Sequence, residues 1–176
     1  MKKISALLSG VLILMGLESC SNAMTPLDTT SVDELDINRY MGMWYEIARF
    51  DHCFERHLTG CTAYYELQDD ENVKVTNSGY KGHLGGKFKQ SEGKVRRLDD
   101  SRPGQLEVSF FWIFYSQYNV LELAPDYRYA LVGGKNDKYL WILSRTPVMD
   151  KADIDYLLEK AVCRGYDISK LIWVEH

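Results

Sequence analysis

Proline is scarce in this chain, 4 in 176 residues beside 13 glycines, while 45% of residues are hydrophobic and 26% charged. That balance leaves no long proline-rich linker and fits one globular domain with enough apolar residues for a sizeable core. No apolar run is long enough to cross a bilayer, since the stretch from Ile4 to Leu17 falls short of the about 20 residues a helical span needs. A basic excess is lacking too. The formal net charge of −4 argues against nucleic acid as a partner and against a polybasic contact with a membrane. Enzyme signatures are also missing: there is no Gly-x-Ser-x-Gly elbow and no His-Glu-x-x-His. Gly85-Gly86-Lys87-Phe88 lacks the first glycine and the Ser/Thr of a phosphate loop.

What is present begins with an export signal. Lys2 and Lys3 precede the apolar run, and Leu17-Glu18-Ser19-Cys20 resembles the box at which bacteria cleave and acylate a lipoprotein, with Glu18 atypical. The expected organisation is a signal peptide over 1–19, an acylated Cys20 with a polar tether over 20–36, and a folded domain over 37–176. Two or three acyl chains hold a protein stably on a bilayer where one does not. The compartment would be the periplasm.

From Gly42 onward short β-prone runs recur with turn signals between them, over about 43–50, 60–68, 72–79, 87–97, 105–113, 117–124, 128–134 and 138–145. Eight such runs joined by hairpins predict an all-β, eight-stranded up-and-down antiparallel barrel just large enough to hold a small ligand. Alternation assigns the inner face. It predicts that Ala63, Tyr65, Leu67, Val73, Val75, Leu106, Val108, Phe110, Trp112, Leu121 and Leu123 line the interior. The first and eighth runs are apolar on both faces, so something must cover them outside. Asp150 as N-cap, an apolar stripe of Ile154, Leu157, Leu158, Ala161 and Val162, and Gly165 as terminator predict that cover, an α-helix over about 151–164. A short added strand is expected at Ile172-Trp173-Val174.

Strands of alternating direction bring Trp44, Asp126-Tyr127 and Arg145 to one end of the barrel. A guanidinium over the indole would close that end, with a cation–π attraction of about 0.5–2 kcal/mol. The other end collects the loops of the mouth, including the glycine-rich one from Gly79 to Gly86, a candidate lid. These short motifs, Gly42-x-Trp44 opening the first strand, Asp126-Tyr127 and Arg145, look like the three signatures of the lipocalins. The flanking stretches Trp44–His52 and Tyr139–Pro147 are similar to the bacterial outer-membrane members, and the resemblance runs from about Ile37 to His176. It implies a non-enzymatic protein without a cofactor that stores or transports a fatty acid or lysophospholipid for maintenance of the outer membrane. It implies anchoring there, facing the periplasm, and allows a homodimer.

The mouth also carries His52-Cys53-Phe54-Glu55-Arg56-His57-Leu58-Thr59-Gly60-Cys61. The spacing matches no standard zinc pattern, and in an oxidising compartment a Cys53–Cys61 disulfide, or one of them with Cys163, is expected. Free thiols and a metal or catalytic use remain as alternatives. An enzyme would use Cys61 or Cys53 with His57. A haem or tetrapyrrole carrier would use His83. Glu46, on the parity of Trp44, points to a polar head group or to a structural hydrogen bond. A chain of about twelve methylenes would gain roughly 10 kcal/mol gross from burial in such a barrel.

Overall fold

A computed structural model describes residues 26–68, 72–99, 101–111 and 114–176. The expected signal peptide and Cys20 lie outside the described residues. Runs of β-branched and aromatic side chains form eight antiparallel strands: β1 (Gly42–Phe50), β2 (Leu58–Leu67), β3 (Val73–Lys81), β4 (Lys87–Arg97), β5 (Gln105–Phe111), β6 (Phe114–Leu123), β7 (Tyr129–Gly133) and β8 (Leu140–Ser144). Each pairs with the next, and β1 pairs with both β2 and β8, so the sheet closes on itself. Closure removes the unpaired edges that an open sheet would expose. The barrel is the one predicted from the run count.

Outside the ring, β9 (Leu171–Trp173) pairs with the second half of β1, through Ala48 to Phe50, while Gly42 to Tyr45 pair with β2. A short helix α1 (Ile37–Tyr40), which alternation did not foresee, crosses one end; Asp36 caps it by accepting from the Asn38 and Arg39 amides. Residues 26–36, expected as a tether, are part of the folded body. The Asp28 amide donates to the Arg164 carbonyl at 2.9 Å, the Val32 amide to the Val120 carbonyl at 2.8 Å, and Leu35 is buried. Leu35 and Val32 are the reason: they are apolar residues in a polar stretch, and the inner core accepts them.

The core is double. One cluster fills the barrel, with Trp44, Tyr65, Val75, Val95, Leu106 and Val120 among its members. The second lies between the outside of the sheet and helix α2 (Lys151–Cys163), joining Ile47, Leu131, Leu140 and Ile142 to Leu157 and Ala161. This explains why β1 and β8 are apolar on both faces. Asp150 sits at the N-cap of α2 but its side chain makes no capping hydrogen bond, and the helix ends at Gly165 with φ of +84°.

Two β-bulges divide residues between these cores. In β6 the register against β7 shifts between Val120 and Glu122, so Val120 faces in, Leu121 and Glu122 face out, and Leu123 packs against the inner cluster. Leu121, expected to line the interior, therefore lies under α2. In β1 the register against β8 shifts between Glu46 and Ala48, leaving Ile47 and Ala48 outside and returning Arg49 to the inside. A bulge adds one residue against the partner strand and inverts the parity that follows it. Leu67 corrects a second expectation: at the last position of β2 it is 44% exposed, because the wall ends there. Trp112 lies outside the described residues.

Leu121→Ala and Leu157→Ala should each lower the unfolding free energy by about 2–5 kcal/mol, and Leu67→Ala by about 0.5 kcal/mol or less. Urea denaturation checks the contrast; equal losses at Leu121 and Leu67 would refute the assignment of faces.

Candidate functional site

Each strand end has a fixed place in a closed up-and-down barrel, and the two ends of this one are built differently. At the closed end, the Arg145 guanidinium lies 3.9 Å from the centre of the Trp44 ring. It donates to the Arg39 carbonyl at 2.7 Å, to Met43 at 2.9 Å and to Tyr127 at 3.3 Å. Trp44 donates its Nε1 hydrogen to the Tyr40 carbonyl at 2.9 Å. Gly42 adopts φ of +92° beneath Arg145, a conformation that side chains disfavour. Asp126 is exposed and accepts from the Arg128 amide and guanidinium. Tyr127, at φ of +64°, places its hydroxyl to accept from the Asp36 amide and its ring 4.0 Å beneath the Arg39 guanidinium.

Above this floor three phenols form a buried chain. Tyr65 donates to the Tyr118 oxygen at 3.0 Å, and Tyr118 and Tyr40 meet at 2.6 Å. Burial pushes the ionisation of all three upward, so they remain neutral hydrogen-bonding groups.

A cavity of about 180 Å³ occupies the barrel between the phenols and the open end. Tyr65, Val75, Val108 and Phe110 line it, together with Leu143 and Trp141, and Phe54 and Phe114 stand at its rim. Val73 and Leu106 belong to the same inner cluster nearer the floor. The volume lies below the 300–1,000 Å³ usual for drug-sized ligands. It suits one narrow apolar chain and not a planar macrocycle. His83, the expected axial ligand of a tetrapyrrole, is exposed in the β3–β4 turn with Nδ1 2.9 Å from the Leu84 carbonyl.

One corner of the cavity is ionic. Glu46, His52, Glu55 and Asn77 line it, and Arg49 is buried behind them. His52 Nε2 lies 2.9 Å from Glu55 Oε2, Arg49 Nη1 lies 3.6 Å from Glu46 Oε2, and Trp141 and Asn77 donate to Glu55 at 3.4 and 3.5 Å. Arg49 also donates to the Glu55 and Leu58 carbonyls at 2.8 and 3.0 Å, which fixes the loop from β1 to β2. Burial, together with the charge and hydrogen bond of Glu55, raises the Glu46 acid well above its usual range, against the pull of Arg49. For Glu55, burial works upward but is outweighed by the hydrogen bonds to His52 and Glu46 and by the His52 and Arg49 charges, and its acid is lowered.

Cys53 and Cys61 do not meet. Cys53 is exposed on the loop and Cys61 is buried in β2, and both are free thiols. The expected disulfide through either is absent because one side chain faces solvent and the other the interior. Burial, reinforced by the Glu46 and Glu55 charges, pushes the Cys61 thiol far upward, which makes it a poor nucleophile. Among the described residues no group of His, Cys, Asp and Glu side chains is arranged to hold a metal ion.

Tyr118, Trp141, Leu143, Phe54 and Phe114 escaped the sequence reading. For β8, apolar on both faces, alternation has nothing to choose between. For β6, the bulge makes the even-numbered residues inward only as far as Val120.

The family model of the lipocalin-like domain matches residues 35–176. The chain is 46% identical to the outer membrane lipoprotein Blc of Escherichia coli strain K12 over 157 residues, covering 89% of this chain and 88% of the relative. It is 42% identical to Blc of Vibrio cholerae, covering 85% and 88%. Among solved structures, insecticyanin from the tobacco hornworm superposes with a TM-score of 0.69 at 24% identity, covering 86% of each chain. The cockroach allergen Per a 4 does so with 0.66 at 21%, covering 87% of this chain and 96% of that one.

The two coupled acids separate in pH. Below its ordinary value of 4.5, Glu46 is protonated folded or unfolded; as pH rises the unfolded chain ionises first, so stability falls until the raised folded value is passed. Glu55 has the opposite sign, its contribution being lost as pH falls below 4.5. From pH 5 to 8 the native chain should lose stability relative to Glu46→Gln, by up to about 1.4 kcal/mol per pH unit. Urea midpoints at the two pH values check this, and parallel curves would contradict it.

Proposed function

Because this chain belongs to the lipocalin family, we propose that it is a non-enzymatic carrier of a single-chain lipid, a fatty acid or lysophospholipid, held at the outer membrane and serving its maintenance. The observation that carries this is the cavity, apolar along Tyr65, Val75, Val108 and Phe110, closed by Trp44 and Arg145 and open between Phe54 and Phe114. A small hydrophobic ligand is what such a cavity binds. Each methylene within it contributes about 0.8 kcal/mol gross, from which ordering and association costs are subtracted.

The polar head belongs at the mouth. Location at the outer membrane draws on the relatives named outer membrane lipoprotein and on the lipobox at Cys20. A periplasm-facing anchor and a homodimer belong to the same reading. A catalytic use of Cys61 is disfavoured by its buried, upward-shifted thiol, and a haem role by the cavity volume.

Filling the cavity with Val75→Trp, or more gently with Val108→Phe, should weaken binding of a fluorescent alkyl probe at least about tenfold, whereas Leu121→Ala, on the outer core, should leave it within about twofold. Solvent extraction of protein purified from its host, followed by mass spectrometry, should release a lipid with one acyl chain. Release of a two-chain lipid or a tetrapyrrole in stoichiometric amount would overturn the reading.

A further inference from the structure

The open end differs from the rest of the surface in polarity and in charge. Phe54 and Phe114 are 61% and 76% exposed, and both also line the cavity. The β3–β4 hairpin presents Leu84 and Phe88 to solvent at the same end, with Phe88 packed on Tyr80 at 5.5 Å between ring centres. Exposed apolar surface that runs into a ligand cavity marks an interaction site.

The charge there is basic although the chain carries −4 overall. Arg56 and Asp51 neutralise one another at 3.2 Å. Beyond that pair stand Lys81, Lys87, Lys89, Lys135 and Lys138 against Asp137, all exposed. The lysine ion pairs among the described residues belong to Lys74 and Lys151, away from this end, and to Lys170, which stands beside the end of β1 and is neutralised there by Asp167 at 3.7 Å. On β4 the buried residues are Gly93 and Val95, and the same parity carries Lys87 and Lys89 past the wall of the cavity to the inner side of the mouth. The net charge of the sequence argued against a basic membrane contact; folding gathers the lysines at one end.

We propose that the open end docks on a bilayer surface bearing anionic headgroups. The aromatic rim enters the interface, the lysines meet the phosphates, and a lipid moves between bilayer and cavity without crossing water. Docking rests on the exposed rings and lysines alone; only the last step rests on the carrier reading. Each lysine near an anionic surface raises partition roughly fivefold, and the attraction fades beyond a Debye length of about 8 Å at physiological salt. The mouth must therefore face the membrane closely.

Cys53, free and exposed on the rim loop, offers a labelling site in the full chain, whereas the other free thiol among the described residues, Cys61, is buried. An environment-sensitive nitrobenzoxadiazole label there is expected to shift to the blue on phosphatidylcholine vesicles containing phosphatidylglycerol, and to be quenched by nitroxide-bearing lipids. The same label moved to Ser101→Cys in a Cys53→Ser chain, at the closed end, is expected to stay in water. Lys81→Gln, Lys87→Gln and Lys89→Gln together should weaken partition about a hundredfold, and Phe88→Ser should reduce the blue shift, while alkyl-probe binding in solution is unchanged. Docking is refuted if the Cys53 label remains aqueous on these vesicles, if the Ser101→Cys label shifts equally, if the lysine variants partition like the native chain, or if the shift follows protein rather than lipid concentration. Vesicle docking without alkyl-probe binding would sink the carrier reading alone.

Discussion

The guanidinium of Arg145, 3.9 Å above the ring of Trp44, donates to carbonyls of Arg39, Met43 and Tyr127 and so ties the short helix, the first strand and the β6–β7 turn into one floor. A cation over an indole contributes about 0.5–2 kcal/mol, more as water is excluded, and each bond to a charged donor adds to it. The floor sets the polarity of the whole molecule. With one end sealed, a ligand enters at the other, and the loops there carry whatever recognition the protein performs.

The same sheet also serves two cores, and the bulges make this workable. A strand with strict alternation can face only one core with each parity. The extra residue in β1 and the one in β6 let consecutive apolar residues turn outward under α2 and then restore the inward side. Without the β1 bulge Arg49 would point under the helix. With it, Arg49 reaches the interior and fastens the loop that carries Phe54 to the barrel wall.

An ionic corner inside an apolar cavity is expensive, since an isolated buried charge costs many kcal/mol. Here the cost is limited in two ways. Burial and the neighbouring Glu55 raise the Glu46 acid and so favour its neutral form, while Glu55 is lowered beside His52 and Arg49. The arrangement places an acid with a raised proton affinity and a paired carboxylate at the wall of a cavity that is otherwise apolar, near the mouth where a polar head would lie.

Much of this was legible in the chain. Period-two alternation located all eight strands to within a few residues, because half-buried strands must segregate their faces, and the helical stripe of Ile154, Leu157, Leu158 and Ala161 located α2 for the same reason. Tyr65, Val75, Val108 and Phe110 line the cavity where alternation is unbroken. It misassigned Leu121, where a bulge inverts parity, and Leu67, where the wall ends. Residues 26–36 looked like a tether because their composition is polar, though two apolar side chains suffice to dock them. Local pattern thus determined which elements form and which side of each is apolar. Only the tertiary structure decided which of two cores an apolar residue joins, that Cys53 and Cys61 stay apart, and that an acidic chain has a basic mouth. These depend on register and on distance across the barrel, and residues far apart in sequence carry no local sign of either.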